Sequence, residues 1–129
     1  MSDAFDSDVL IFAANGTALG LPTRALIDGD GDFLGSVVLL PEVVSKPMRL
    51  GNDTELVAVE RLLARISLKE VDWDVARTSA TLAAKYGLRA ADAIHLATAV
   101  VWGADRFHTN NRKDFGPHIT EVEVVWPEG

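Results

Sequence analysis

Apolar positions along this chain follow two rhythms. Short runs near residues 9–12, 37–44 and 122–126 have no helical spacing and, by length and bounding residues, predict strands; the stretch between 53 and 102 is helical. From Asp53 to Ser67, Leu56, Val59, Leu62, Leu63 and Ile66 form one stripe, with Asp53 or Thr54 available as the N-cap. Trp73 to Tyr86 predicts a second helix, alanine-rich along its apolar side and ended by Gly87. Ala90 to Trp102 predicts a third, interrupted only by Asp92, His95 and Thr98, so it belongs in the interior. Gly103 stops that helix, and Asp105 to His108 leads as a short strand into Thr109-Asn110-Asn111. Strands alternating with helices predict an α/β domain, layered as helix, sheet and helix around a mainly parallel sheet, with ligands gathered at the carboxyl ends of the strands.

Length and composition narrow this picture. The 129 residues fit one domain over 1–129, large enough to bury a core without disulfides or structural zinc. The absence of cysteine removes thiolate chemistry and fits a reducing compartment, so a cytoplasmic protein is expected. The opening MSDAFDSD has neither the basic start nor the apolar stretch of a secretory signal. A formal net charge of -7 argues against holding nucleic acid by bulk electrostatics, so any such contact is local, metal-assisted or supplied by a dimer groove. Asp28-Gly29-Asp30-Gly31 looks like a calcium loop but lacks the bidentate Glu that such a loop needs, and reads as a turn.

The candidate chemistry lies in acids set beside apolar segments. A carboxylate taken out of water must find a cation, accept hydrogen bonds or take up a proton. Asp6 and Asp8 form a D-x-D pair that suits either a helix cap or a catalytic motif, and Glu42 follows Pro41 where a helix start is equally plausible. Asp92 is harder to explain structurally, although the first turn of its helix favours an ionised carboxylate. His95, one turn on, reads as a hydrogen-bonded core histidine rather than a ligand, and His108 and His118 are too isolated for a zinc triad. Thr109 to Phe115 supplies hydroxyl, amide and carboxylate oxygens, notably Asn111 and Asp114, with Arg89, Arg112 and Lys113 close by. Trp73, Trp102 and Trp126 read as packing residues. Several carboxylates in one pocket would call for a hard divalent cation such as Mg2+ or Mn2+.

Taken together, three segments resemble a PIN-domain protein of the VapC-type toxin group: FDSDVLI, SVVLLPEVVSKPM and YGLRAADAIHLATAVVWGADRFHTNNRKDF. The likeness runs from about Phe5 to Trp126 and implies a PIN-like three-layer fold. It also implies that the first strand precedes Asp6, that a helix begins near Ser7, and that Ser36 caps the helix carrying Glu42. By this resemblance Asp6, Glu42 and Asp92 are the metal-binding acids, with Mg2+ or Mn2+ as cofactor, and Asp8 is a companion. Where many relatives carry an Asp two residues after the motif's Thr, this chain has Asn111, with Asp114 the nearest acid; a weaker second metal subsite follows.

The implied activity is metal-dependent endoribonuclease cleavage of RNA phosphodiesters, as the toxin of a type II toxin–antitoxin pair, with a homodimer and an antitoxin protein as partners. A stand-alone RNA-processing nuclease and a degenerate module that binds a protein partner are the competing readings. A haloacid-dehalogenase-type phosphatase would use Asp6-x-Asp8, but leaves Glu42 without a role and lacks a downstream acidic pair.

Overall fold

The computed structural model of the protein describes residues 1–127. Five strands, β1 (Ser2–Phe5), β2 (Asp32–Ser36), β3 (Ser67–Lys69), β4 (Arg106–His108) and β5 (Glu123–Val125), form one sheet in the order β3-β2-β1-β4-β5. Every neighbouring pair is parallel. The six helices are α1 (Ser7–Asn15), α2 (Leu21–Ile27), α3 (Leu39–Leu50), α4 (Asp53–Leu63), α5 (Trp73–Tyr86) and α6 (Ala90–Val101).

The alternation of side chains along the strands divides the interior in two. Ala4, Leu34 and Phe107 face a core that includes Val75, Leu82, Leu96, Ala97 and Phe115, beneath α5 and α6. Phe5 and Phe33 face the opposite way, onto Val9, Leu10, Ile27, Leu39, Val43, Val59 and Leu62 from α1 to α4. The expected three-layer α/β/α arrangement is therefore present, with every sheet connection parallel. Full burial of each large apolar side chain contributes about 1.5–3 kcal/mol, so both layers hold the sheet. Gly20 lets α2 approach α1: a Cβ there would lie 1.9 Å from the Phe12 carbonyl oxygen.

The two central strands differ in how the chain reaches them. From β1 it winds outward through β2 to β3, then returns to the other side of β1 to form β4 and β5. The carboxyl ends of β1 and β4 therefore flank the point where the winding reverses, the usual place for a ligand crevice in an open parallel sheet.

Local expectations fared unevenly. α5 matches the predicted span, capped at its start by Asp72, which accepts from the Val75 N–H at 2.9 Å, and ended by Gly87 in the left-handed region. α6 and β4 also stand where the sequence placed them, and β5 falls inside the run at 122–126. The run at 9–12 is not a strand but the middle of α1, and most of 37–44 belongs to α3, as the family resemblance required. In the first run Val9 and Leu10 are buried and Ile11 and Phe12 half-buried, so α1 is covered on more than one side; in the second Leu39 and Val43 are buried on one face while Leu40 is exposed, an apolar residue on the solvent side that blurs the helical spacing. The helix expected to reach Ser67 stops at Leu63, and Ser67 begins β3; its N-cap is Asn52 rather than Asp53 or Thr54. Ser36 does not occupy the N-cap position of α3, which is Val38, but its Oγ accepts from the Val38 N–H at 3.1 Å. Trp73 and Trp102 are 78% and 50% exposed, so they are not core residues as expected, while Trp126 is half-buried and donates to the Phe115 carbonyl oxygen.

Candidate active site at the carboxyl end of the sheet

Asp6 stands one residue beyond β1, and its own N–H extends the ladder to the His108 carbonyl oxygen at 3.2 Å. The same residue caps α1: Oδ1 accepts from the Val9 N–H at 3.3 Å. Its other oxygen accepts from the hydroxyl of buried Thr109, the residue after β4. Cap and candidate ligand are thus one side chain. Burial, only partly offset by these hydrogen bonds, pushes the Asp6 carboxyl up to about 6.

Around this buried acid lies an open cleft of about 690 Å³, lined by Ser7, Asp8, Glu42, Gly87, Arg89, Asp92, Asn111, Lys113 and Asp114. Each element delivers its part for a local reason. α1 starts directly at Asp6 and places Asp8 in its first turn. α3 begins after β2 and carries Glu42 in its first turn. The left-handed Gly87 turns the chain between α5 and α6, bringing Arg89 to the rim and Asp92 into the first turn of α6. After β4, Asn111 organises a turn in which its side-chain oxygen accepts from the Asp114 N–H at 3.2 Å and its amide donates to Asp114 Oδ2 at 3.0 Å. That bond aims Asp114 into the cleft, beside Asp92.

Glu42 reaches across the edge of the sheet from one helical layer to the other, where its Oε1 meets Nε2 of buried His95 on α6. Asp92 has no such partner: none of the four ion pairs among the described residues includes it. Burial raises its carboxyl above the ordinary range, and the charges of Asp114, Glu42 and Asp8 raise it further against an opposing effect of His95. Arg89 and Lys113 supply positive charge at the rim, whereas Arg112 is turned away over the Trp126 ring at 4.9 Å.

Of the residues singled out in the sequence, Glu42, Asp92, Asn111, Asp114 and Asp8 meet in this cleft, and Asp6 lies buried at the junction of β1 and α1 rather than in the lining. As the side chains stand, no three His, Asp or Glu residues among the described ones form a ready-made cage for a metal ion. The donor set nonetheless suits a hard divalent cation in its chemistry. It consists of carboxylate and amide oxygens, it concentrates negative charge, and it includes an acid, Asp92, that makes no ion pair among the described residues.

Sequence reasoning missed two participants. In the sequence Thr109 is one oxygen-bearing residue among several, but its hydroxyl fixes Asp6, and a lone threonine carries no local signal for that bond. His95 is the core histidine that the sequence predicts, at 2% exposure, yet its partner is a cleft acid 53 residues away.

Comparison with known proteins extends this geometry. No curated protein matches the chain. Among solved structures, a toxin–antitoxin complex from Klebsiella pneumoniae is similar at 22% identity, with 95% of this chain and 99% of that one covered and a TM-score of 0.74. VapBC2 from Rickettsia felis, bound to a DNA fragment from its promoter, has 15% identity, 99% and 100% coverage and a TM-score of 0.78. DNA-bound VapBC from Salmonella typhimurium has 16% identity, 98% coverage of both chains and a TM-score of 0.73. These likenesses speak to the fold. The family model for the PIN domain matches residues 4–116, a span that runs from the end of β1 through β4 and holds every acid of the cleft, and the chain therefore belongs to the PIN domain family.

Proposed function

We propose that this protein is a metal-dependent endoribonuclease acting as the toxin of a type II toxin–antitoxin pair. The observation that carries the reading is the convergence of Asp8, Glu42, Asp92 and Asp114, from four separate segments, in one cleft above buried Asp6 at the reversal point of a PIN-family sheet. Asp6, Glu42 and Asp92 would hold Mg2+ or Mn2+, with Asn111 and Asp114 completing the polar wall. The ion, when bound, supplies Lewis-acid activation of water and screening of the scissile phosphate. The chain's own residues do the rest: Arg89 and Lys113 draw the RNA backbone to the rim, Thr109 and the Val9 N–H fix Asp6, and Asn111 orients Asp114. The open form of the cleft suits a polymeric substrate rather than an enclosed small molecule.

The toxin assignment draws on the solved neighbours, whose titles describe toxin–antitoxin or VapBC complexes. The family likeness further supports a homodimer whose acidic groove a cognate antitoxin would cover. The test is RNA cleavage by the purified chain with Mn2+ or Mg2+, with EDTA, and with Asp92→Asn. Cleavage that needs the ion and the Asp92 carboxylate is expected; cleavage indifferent to both sinks the assignment. Growth arrest on expression, relieved by a neighbouring gene product, separates the toxin from a stand-alone RNA-processing enzyme.

A further inference from the structure

We propose that His95 is a positioning residue for Glu42, whose imidazole Nε2–H fixes the Glu42 carboxylate at the mouth of the acidic cleft for a divalent cation. This rests on the functional reading above and names a residue that reading does not use.

Three observations carry it. His95 is 2% exposed, set in α6 among Ala93, Leu96, Ala97 and Ala99, where a polar ring has no reason to be unless it serves a partner. That partner is Glu42 Oε1, brought from the opposite helical layer, and this is the one side-chain hydrogen bond that Glu42 makes among the described residues. A glutamate has three side-chain torsions to fix, so a single rigid donor beneath it decides where the carboxylate rests. Finally, His95 Nδ1 is buried without any hydrogen-bond partner. An ionised carboxylate only accepts, so the proton of a neutral imidazole belongs on Nε2, directed at Glu42, and Nδ1 is the nitrogen left bare. The bond occupies one carboxylate oxygen and leaves Oε2 for a ligand. Carboxylates that hold metals are oriented in this way by partners behind them.

The test is calorimetric titration of Mn2+ into the parent protein, His95→Leu, His95→Gln, Glu42→Gln and the His95→Leu/Glu42→Gln double variant, with thermal unfolding of each metal-free protein as the folding control. His95→Leu is expected to weaken Mn2+ binding about 10–100-fold. His95→Gln, which returns an amide donor, recovers most of that loss, and His95→Leu adds no further loss once Glu42 is Gln. Mn2+ binding by folded His95→Leu that equals or exceeds the parent overturns the proposal, as does an undiminished loss in the Glu42→Gln background. Should His95→Leu not fold, nitrogen NMR of the parent decides: a proton on Nε2 and a resonance that moves with Mg2+, but not in Glu42→Gln, are expected, and a proton on Nδ1 overturns it. A parent that binds no Mn2+ defeats the functional reading as well. Binding lost in Glu42→Gln but intact in His95→Leu defeats this inference alone.

Discussion

Asp3 and Asp6 are three residues apart, 1% and 4% exposed, and the protein treats them in opposite ways. Asp3 accepts from the Arg106 guanidinium at 2.7 Å and 3.2 Å and meets His108 Nε2 at 2.7 Å. Burial alone would push its carboxyl up, but the hydrogen bonds and charges of Arg106 and His108 prevail and hold it below the ordinary carboxylate range. Asp6 receives only a hydroxyl and a backbone N–H, no cation, and burial pushes it up to about 6. The first acid is a brace across β1 and β4. The second is left short of positive charge, the condition in which an external cation adds most.

This contrast breaks most sharply through activity. Asp6→Asn is expected to lower RNA cleavage by about 10²–10³-fold, the usual cost of removing one electrostatic element from a catalytic centre, measured as single-turnover cleavage at saturating Mn2+. Next comes the stability of the brace: Asp3→Asn leaves Arg106 and His108 facing a neutral amide. It should cost about 2–3 kcal/mol, somewhat below the figure for a fully buried pair because Arg106 is part-exposed. Denaturant unfolding measures that loss, and Mn2+ affinity should stay near the parent's.

Smaller, and opposite in sign, is the stability effect at the other acid. Asp6→Asn keeps an oxygen for the Val9 cap and removes a desolvated charge, so the metal-free protein should be unchanged or gain about 1 kcal/mol at neutral pH. Equal destabilisation by Asp3→Asn and Asp6→Asn would show the two acids to be alike after all. The mildest effect concerns pH. Burial lowers His108 below its ordinary value of 6.5 despite the opposing influence of Asp3. Its contribution to stability is therefore present above about 6.5 and lost as pH falls through the depressed value, and that of Asp3, also depressed, fades at still lower pH, below 3.8. His108→Gln should flatten the first of these steps in an unfolding series from pH 7 to pH 5, since a Gln amide does not titrate there.

The sequence made some of this legible. α5 could be read end to end because a strong stop, Gly87, follows a regular stripe, and α6 because twelve nearly apolar residues fit only an interior helix. β1, β2 and β3 could not, being four, five and three residues long, and DFLGS carries a glycine and a serine where a strand signal would need branched side chains. Of the candidate site, Asp6, Glu42, Asp92, Asn111 and Asp114 stand out as polar residues beside apolar segments, but only the family likeness joins them, since most of them read equally well alone as caps or turn residues. What stayed hidden were the cross-chain bonds. Nothing local tells a reader that Thr109 serves Asp6, that His95 serves Glu42, or that Arg106 serves Asp3, because those pairings exist only once the sheet has closed.

The separation of those partners has a consequence for synthesis. Asp6 and Thr109, like Asp3 and Arg106, are 103 residues apart, and β4 must slot against β1 before either pair can form. While the ribosome is still making the chain, β1 waits with one edge open until β4 has left the exit tunnel, so the acidic centre is assembled late, by the closing of a long-range contact that slows folding. The acidic cleft is therefore complete only after β4 has been made, however early its first acid is synthesised.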